Sequence, residues 1–496
     1  MLMSHSAALH RYARVFPLSL LLLSAVLIGA ASAQTQLVKL STDTFKNSSS
    51  QHATEVEPDT YAFGSTLVTA FQVGRIFDGG ASDIGFATSV DGGTTWSNGF
   101  LPGITTFYKG GKFQAASDAA VVFDASHGVW LISSLGLGNT NVVLVNSSTD
   151  AIHWNNPVTV NANTAFADKD WIVCDNSASS PFFGHCYVEW DDAFSGDQLL
   201  MSTSTDGGKT WSAAARVPNA FGLGGQPVVQ NNGTVVVPFL GSGVQFFTST
   251  NGGKNWGNVG TISSVTSHII AGNLRAIYEL PSAEVDGAGK VYVTWHDCRF
   301  RSGCTSNDIV LSSSSDGKTW SAVRRIPIDP VTSTVDHFIP GLAVDSATSG
   351  GTAHLGLTYY YYPVSNCTDQ TCNLSVGFVS SKDGGKTWTK GQPLAMKMRT
   401  GWLPSTSLGQ MVGDYISTSY VNGKAFGVFA KALPNNGAKF NEAMFTPLVG
   451  QIAEAEGPYF SSDGDLPVPN AHSDHGPRQF YDSEGRVPIP PEKRKQ

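Results

Sequence analysis

Charge is scarce in this chain: Asp, Glu, Lys and Arg together make up 14% of its 496 residues, and the balance is acidic, with a formal net charge of −8. No extended basic run occurs, which argues against nucleic acid or an anionic membrane as partner. Long stretches with a 3.6-residue apolar period are also missing, and this excludes a helical bundle or an α/β barrel. No Cys-x-x-Cys pair with matching His spacing is present, which argues against a zinc site; no metal or cofactor is expected. The single long apolar run, Leu18 to Ile28, falls short of the roughly 20 residues that span a bilayer, and no second run follows it. Arg11 and Arg14 precede that run and Ala31-Ser32-Ala33 follows it, so residues 1–33 read as a secretory signal peptide cleaved after Ala33. Loss of those two arginines takes the charge from −8 to −10. A secreted protein, extracellular or periplasmic, without membrane insertion and monomeric, is the expectation.

The hydrophobic share is 41%, ample for a large core, and the 53 glycines and 11 tryptophans imply many tight turns and many aromatic anchors. Six cysteines fall in three close pairs, Cys174 with Cys186, Cys298 with Cys304 and Cys367 with Cys372. In an exported chain these read as three local disulfides. One element recurs: Ser89-Val-Asp-Gly-Gly-Thr-Thr-Trp96, Ser204-Thr-Asp-Gly-Gly-Lys-Thr-Trp211, Ser249-Thr-Asn-Gly-Gly-Lys-Asn-Trp256 and Ser381-Lys-Asp-Gly-Gly-Lys-Thr-Trp388. Shortened copies stand at Ser314-Ser-Asp-Gly-Lys-Thr-Trp320 and Ser148-Thr-Asp-Ala-Ile-His-Trp154. Their third positions, 91, 150, 206, 251, 316 and 383, are 59, 56, 45, 65 and 67 residues apart, each interval enough for one four-stranded sheet. A carboxylate followed by Gly-Gly suits a tight turn between two strands, and the closing Trp offers a broad apolar face to a neighbouring sheet. Apolar alternation before each copy, as in Ile84-Gly-Phe-Ala-Thr-Ser89, marks the incoming strand.

Such sheets bury both faces only by radial stacking, so the expected fold is all-β, a six-bladed β-propeller over residues 34–450. After about residue 450 the periodicity stops. Residues 451–496 read as a tail rich in Pro, Gly and charge, disordered or loosely docked.

These turns resemble the Asp-box, or BNR repeat, of the sialidase (neuraminidase) superfamily, and the resemblance covers most of residues 50 to 435. It implies a secreted exo-acting glycoside hydrolase that removes a terminal acidic sugar from a glycan. The family's mechanism uses a Tyr nucleophile polarised by a Glu, an Asp acid/base and arginines that grip the sugar carboxylate. Carried onto this chain, Arg75 ends a strand, and Asp78, with Asp83 as the alternative, is the acid/base in the loop that follows. Glu284 precedes the hairpin leading to Arg299, the one polarising the nucleophile and the other binding the sugar carboxylate. Tyr415, in Gly413-Asp414-Tyr415-Ile-Ser417, is the nucleophile. Arg399 completes the binding set with Arg75 and Arg299. The family's Arg-Ile-Pro motif has no counterpart: the matching stretch, Thr54-Glu55-Val-Glu57-Pro58-Asp59, lacks Arg, and so does the whole span between Arg325 and Arg399. That departure weakens the hold on an acidic sugar and keeps a second reading open, a non-catalytic carbohydrate-binding or scaffold propeller. A third is a glycosidase with two carboxylates acting on a neutral glycan. Acids also gather in Asp168-Lys169-Asp170-Trp171 and Glu189-Trp-Asp191-Asp192, which could bind Ca²⁺ or present a second acid pair to sugar but read first as an inner strand and solvated loop. His337 and the run Tyr359 to Tyr362 could line a pocket.

Overall fold

The computed structural model describes residues 35–161, 166–435, 439–452, 459–461 and 467. The expected signal peptide and most of the expected tail lie outside the described residues. Among those described, regular structure is antiparallel β-sheet with a few 3-10 turns, and no helix is long and apolar enough to cross a membrane.

Seven four-stranded units follow one another along the chain. Sheet 1 takes Ser50–Phe63, Thr66–Ile76, Ala81–Ser89 and Ser97–Phe100. Sheet 2 takes Ala115–Asp124, Val129–Leu137, Val142–Ser148 and Val158–Asn161, and joins sheet 1 through a single pairing of Ala81 with Ala116. Sheet 3 begins with Ala167–Cys174, sheet 4 with Val228–Val229, sheet 5 with Ser282–Val285 and sheet 6 with Asp336–Val344. Sheet 7 is made by Ser417–Val421, Lys424–Ala432 and Glu442–Pro447, and its fourth strand is Leu37–Lys39 from the start of the chain. The six Asp-box turns each lie between the third and fourth strands of sheets 1 to 6. Sheet 7 has no such turn, so a count of turns reaches six where the described residues form seven such units. Tyr459–Ser461 pairs with Thr387–Thr389 beside sheet 6.

Successive residues of a strand point to opposite faces, and here both faces are buried. Val121 packs between sheets 1 and 2 with Val68, Ile84 and Ile132, while its neighbour Val122 packs between sheets 2 and 3 with Leu131, Val188 and Leu200. Val235 and Val236 divide the same way between sheets 3 and 5. Sheets 5 and 6 meet through Ile309, Leu311, Leu342 and Leu357, and sheets 6 and 7 through Leu374, Phe378, Val428 and Phe429. Sheet 7 then packs on sheet 1 through Leu67, Val421 and Phe426. Every sheet therefore has an apolar neighbour on each side.

The turns behave as their sequence implies. Asp91 Oδ1 accepts from the backbone N–H groups of Thr94 (3.1 Å) and Thr95 (2.9 Å), and Oδ2 accepts from the Thr95 hydroxyl at 2.6 Å. Asp206 repeats this with Lys209 and Thr210, and Asp383 with Lys386 and Thr387. Donation of the Thr95 hydroxyl, then of its backbone N–H, lowers the Asp91 pKa to about 2. Gly93, at φ +88°, sits so close to sheet 7 that a Cβ there would lie 2.5 Å from the Phe426 ring. All three cysteine pairs form disulfides, Cys174–Cys186, Cys298–Cys304 and Cys367–Cys372.

Candidate functional site

The first strands of sheets 1, 2, 3 and 6 share an irregularity. Their pairing shifts register between Val56 and Asp59, between Ser117 and Ala120, between Asp168 and Trp171, and between Phe338 and Pro340. Within each shift one non-glycine residue has positive φ: Glu57 (55°), Asp118 (44°), Lys169 (37°) and Ile339 (49°). Each such residue costs on the order of 1–3 kcal/mol, and bulges of this kind re-aim a side chain. Three of the four carry charge, and the bulges bring them together.

Lys169 Nζ lies 2.9 Å from Asp414 Oδ2, 3.2 Å from Asp118 Oδ1 and 3.7 Å from Glu57 Oε1. Arg275 binds Asp414 with both arms, Nε to Oδ1 at 2.9 Å and Nη2 to Oδ2 at 2.6 Å. The Asp414 backbone N–H donates to Glu57 Oε1 at 2.9 Å, and Gln72 Nε2 donates to the other Glu57 oxygen and to Ser117 Oγ. Arg75 Nη1 donates to Gln72 Oε1 at 2.9 Å, which ties it to the rim of the network. All these charged groups are buried. Burial opposes ionisation of Asp414, but Arg275 and Lys169 outweigh it and hold the carboxyl below its ordinary range. Burial likewise disfavours charge on Lys169, and Asp118, Asp414 and Glu57 overcome it, raising its pKa well above that of a free lysine. For Glu57 burial prevails over Lys169, and the pKa rises to about 7.

Beside this network is a shallow pocket enclosing about 20 Å³, room for one hydroxyl or one water. Asp170, Trp171, Tyr278, His296, Asp414 and Tyr415 are among its walls. Trp171 and Tyr415 meet edge to face at 5.1 Å, and the Lys169 ammonium stands 5.5 Å from the centre of the Tyr415 ring. Asp170 is buried, and that burial raises its pKa well above the usual carboxylate range. Behind it on the next strand Glu189 is wholly buried, with neither carboxylate oxygen hydrogen-bonded. Burial, then Asp170, pushes the Glu189 pKa up in the same direction.

A larger cavity of about 370 Å³ adjoins the pocket, the two meeting at Trp171 and Gln226. First strands of all seven sheets or the residues beside them line it, each by the part that follows the part lining the pocket or network. Thus Lys169 to Trp171 face the pocket and Trp171 to Cys174 the cavity; Tyr415 and Ile416 face the pocket and Thr418 to Tyr420 the cavity.

The six residues expected from sequence divide between these places. Tyr415 lies on the pocket and Arg75 on the edge of its network. The Tyr415 hydroxyl donates to the Ala119 carbonyl at 3.5 Å, not to Glu284, and burial, then Glu57 and Asp118, raises its pKa well above that of a free phenol. Glu284 is on the cavity wall; burial, then Asp59, raises its pKa to about 8. Arg299 folds back on Asp297, with Nε to Oδ1 at 3.0 Å and Nη2 to Oδ2 at 2.6 Å. Asp78 and Arg399 are exposed. Asp83, the alternative to Asp78, is buried and accepts from Thr105 Oγ1 at 3.2 Å. His337 is 3.9 Å from Asp329, in a cluster where Arg301 and Arg325 already neutralise Asp308 and Asp329. Two guanidinium groups there leave no place for a cation.

Sequence reasoning missed Arg275 as a site residue. It sits in an irregular segment, held by its N–H to the Gln410 carbonyl at 2.7 Å, and no periodicity marks it. Asp118 gives no sequence signal either. Lys169, Asp170 and Glu57 were visible as polar residues in strand segments, but nothing local indicated that bulges would gather them.

Residues 182–343 match the BNR repeat-like domain family. No curated protein matches the chain. Among solved structures, a Hadza microbial sialidase aligns at 16% identity over 62% of this chain and 64% of that one, with a TM-score of 0.43. The chain thus spans less than two thirds of that sialidase. The NanB sialidase of Streptococcus pneumoniae aligns at 16% identity over 84% of this chain and 70% of its own, with a TM-score of 0.39. An ulvan lyase of polysaccharide lyase family PL25 aligns at 11% identity over 84% and 96%, with a TM-score of 0.49. Residues 182–343 thus resemble a BNR repeat-like domain, and turns of the same Asp-box sequence stand on both sides of that span, at Ser89 to Trp96, Ser148 to Trp154 and Ser381 to Trp388.

Proposed function

We propose that the chain is a secreted seven-bladed β-propeller that hydrolyses a neutral glycan at the pocket between Asp170 and Asp414. The observation that carries this reading is a pair of carboxyls on one pocket whose surroundings drive their protonation apart. Asp170 is kept as the neutral acid, and Asp414, between Arg275 and Lys169, as the anion. A glycosidic bond is broken by such a division of labour: an acid protonates the leaving oxygen while a carboxylate supports the positive charge that builds on the ring or directs its attacker. The pocket itself admits one hydroxyl, and Trp171, which it shares with the larger cavity, offers an aromatic face on which the rest of the sugar ring packs. The propeller is supported by the packing of each sheet on two neighbours and by the one cavity that all seven units line. Secretion accords with three disulfides.

An acidic terminal sugar fits this pocket less well. The buried guanidinium that reaches the pocket wall through Asp414, Arg275, is engaged by both oxygens of that carboxyl and would have to exchange one carboxylate for another. The sialidase-type reading, with Tyr415 as nucleophile, keeps one favourable observation, the place of Tyr415 on the pocket among Glu57, Asp118 and Asp170.

One experiment separates the readings: turnover of methylumbelliferyl glycosides of neutral sugars and of sialic acid by the purified chain, with Asp170→Asn, Asp414→Asn and Tyr415→Phe beside it. Neutral-glycoside turnover that Asp170→Asn abolishes and Tyr415→Phe retains is the expected result. Sialoside turnover that Tyr415→Phe abolishes would install the sialidase-type mechanism instead. A folded wild type that turns over nothing but binds oligosaccharides is the non-catalytic propeller.

A further inference from the structure

The larger cavity is unlike the pocket in its electrostatics. Among the described residues its wall holds three carboxyls, Asp59, Glu284 and Asp286, and not one Lys, Arg or His. Asp286 is spoken for: it accepts from the N–H groups of Ala288, Lys290 and Gly350 and from the Tyr292 hydroxyl. Asp59 is engaged in part: its Oδ2 accepts from the Val121 N–H at 2.8 Å, and the Ser417 hydroxyl and the Thr60 N–H also bond its carboxyl. Glu284 remains, and no hydrogen bond from another side chain reaches it among the described residues. Burial raises both groups, Asp59 to about 7 and Glu284 to about 8, and the charge of Asp59 adds to the shift of Glu284. The rest of the wall includes the rings of Tyr61, Trp171 and Tyr420 and the carboxamides of Asn176, Gln226 and Asn231. Phe63, Gly287 and Ser346, at the end away from the pocket, are exposed, so the cavity opens there to solvent.

We propose that this cavity is a second binding site, selective for an amine-bearing sugar unit and closed to sialic and uronic acids. The argument rests on charge, size and shape together. A sugar carboxylate entering the cavity meets two acids and no base, so it adds repulsion and desolvation without a partner. An ammonium meets the opposite: carboxyls that its own charge would ionise, and aromatic faces that attract cations. At about 370 Å³ the cavity falls within the range of small-molecule sites, roughly 300–1,000 Å³, and far exceeds a cage for a bare metal ion. Carboxamides placed between the rings suit the hydroxyls of a pyranose. That the ligand is a sugar rests on the glycan reading given above; that it carries an amine rests on the cavity alone.

The test is calorimetric titration of the full chain at pH 6 with three short oligosaccharides: a glucosamine trimer, its N-acetylated form and a uronic acid trimer, with glucosamine alone as a minimal probe. A charge-assisted contact is worth about 1.4 kcal/mol or more, so the free-amine trimer should bind at least about tenfold more tightly than the acetylated one. The uronic acid trimer should show no binding in the cavity. Glu284→Gln, which keeps the shape and removes the charge, should bring the ratio of amine to acetylated affinity to about 1, and Asp59→Asn should reduce it in the same direction. An acetylated trimer that binds as tightly as the amine, or a ratio untouched by Glu284→Gln in a variant with wild-type thermal unfolding, would overturn the proposal. Glucosamine binding without turnover or binding of any neutral glycan would leave this site standing and remove the glycan hydrolase reading. Binding of neutral glycans with no preference for the amine would do the reverse.

Discussion

The contact between sheet 7 and the first strand of sheet 1 gives a stability prediction that can be worked through. Glu55 and Glu442 are each 1% exposed, and neither oxygen of Glu442 is hydrogen-bonded. Ser41 donates to Glu55 Oε2 at 3.1 Å and accepts from the Met444 N–H at 2.8 Å, so the acid pair sits inside the closure. Burial raises the Glu55 pKa to about 8, opposed by the Ser41 bond, by Lys39 and by Lys439, and reinforced by Asp43. Glu442 is raised by burial first and by Glu55 second, and the Tyr360 hydroxyl near it is neutral. In the unfolded chain Glu55 ionises near 4.5, in the folded chain near 8. Its stabilising share is therefore complete below 4.5 and is lost as pH rises toward 8, at about 1.4 kcal/mol per pH unit for one proton. Between pH 5 and pH 7 that amounts to about 3 kcal/mol. Glu55→Gln removes this proton and leaves the shape. Its stability relative to wild type should therefore improve steadily from pH 5 to pH 7, by up to about 3 kcal/mol, which is roughly 3 °C in Tm for a domain of this length. Urea unfolding of both proteins at pH 5, 6, 7 and 8 measures it. Two curves that stay parallel across that range would refute a protonated Glu55 in the folded chain.

The charged network predicts that Asp414→Asn, by leaving Arg275 and Lys169 buried beside a lost partner, costs about 3–5 kcal/mol, readable as a lowered urea midpoint. Gly93→Ala places a methyl group 2.5 Å from the Phe426 ring at φ +88° and should cost about 2–3 kcal/mol by the same assay, with no change at the pocket. Reduction of the disulfides should lower the thermal midpoint, most of it through Cys174–Cys186, which staples the first two strands of sheet 3 beside the larger cavity; Cys174→Ser with Cys186→Ser should reproduce that part.

The repeated turns were legible because their chemistry is local. Ser, Asp, Gly, Gly and Trp within eight residues bond to one another, so sequence shows the whole device. Sheet 7 was not legible for the opposite reason: it lacks that turn and takes Leu37–Lys39 from far along the chain. The site divides on the same line. Tyr415 could be picked out from its neighbours Asp414 and Ser417, yet its partner could not. Glu284 lies on an appropriate first strand but past the pocket, which that strand meets at Ser282. Arg299, read as a ligand for substrate, is satisfied by Asp297 two residues before it. The gathering of Glu57, Asp118 and Lys169 depends on positive φ at non-glycine residues, which tertiary packing imposes and no composition records.

Completion of the last sheet by the first described strand also sets an order of assembly. Leu37–Lys39 pairs with Phe445 to Pro447, some four hundred residues later in the chain. During synthesis sheets 1 to 6 can each form from neighbouring segments as they emerge, while the beginning of the chain waits with an open edge. Loop closure over such a distance is slow and comes last. The half-built molecule therefore exposes two apolar sheet faces, those of sheets 1 and 6, until sheet 7 enters between them. A truncation before Ser417, which removes all three C-terminal strands of sheet 7, should leave every Asp-box turn intact and still give a chain that associates through those faces.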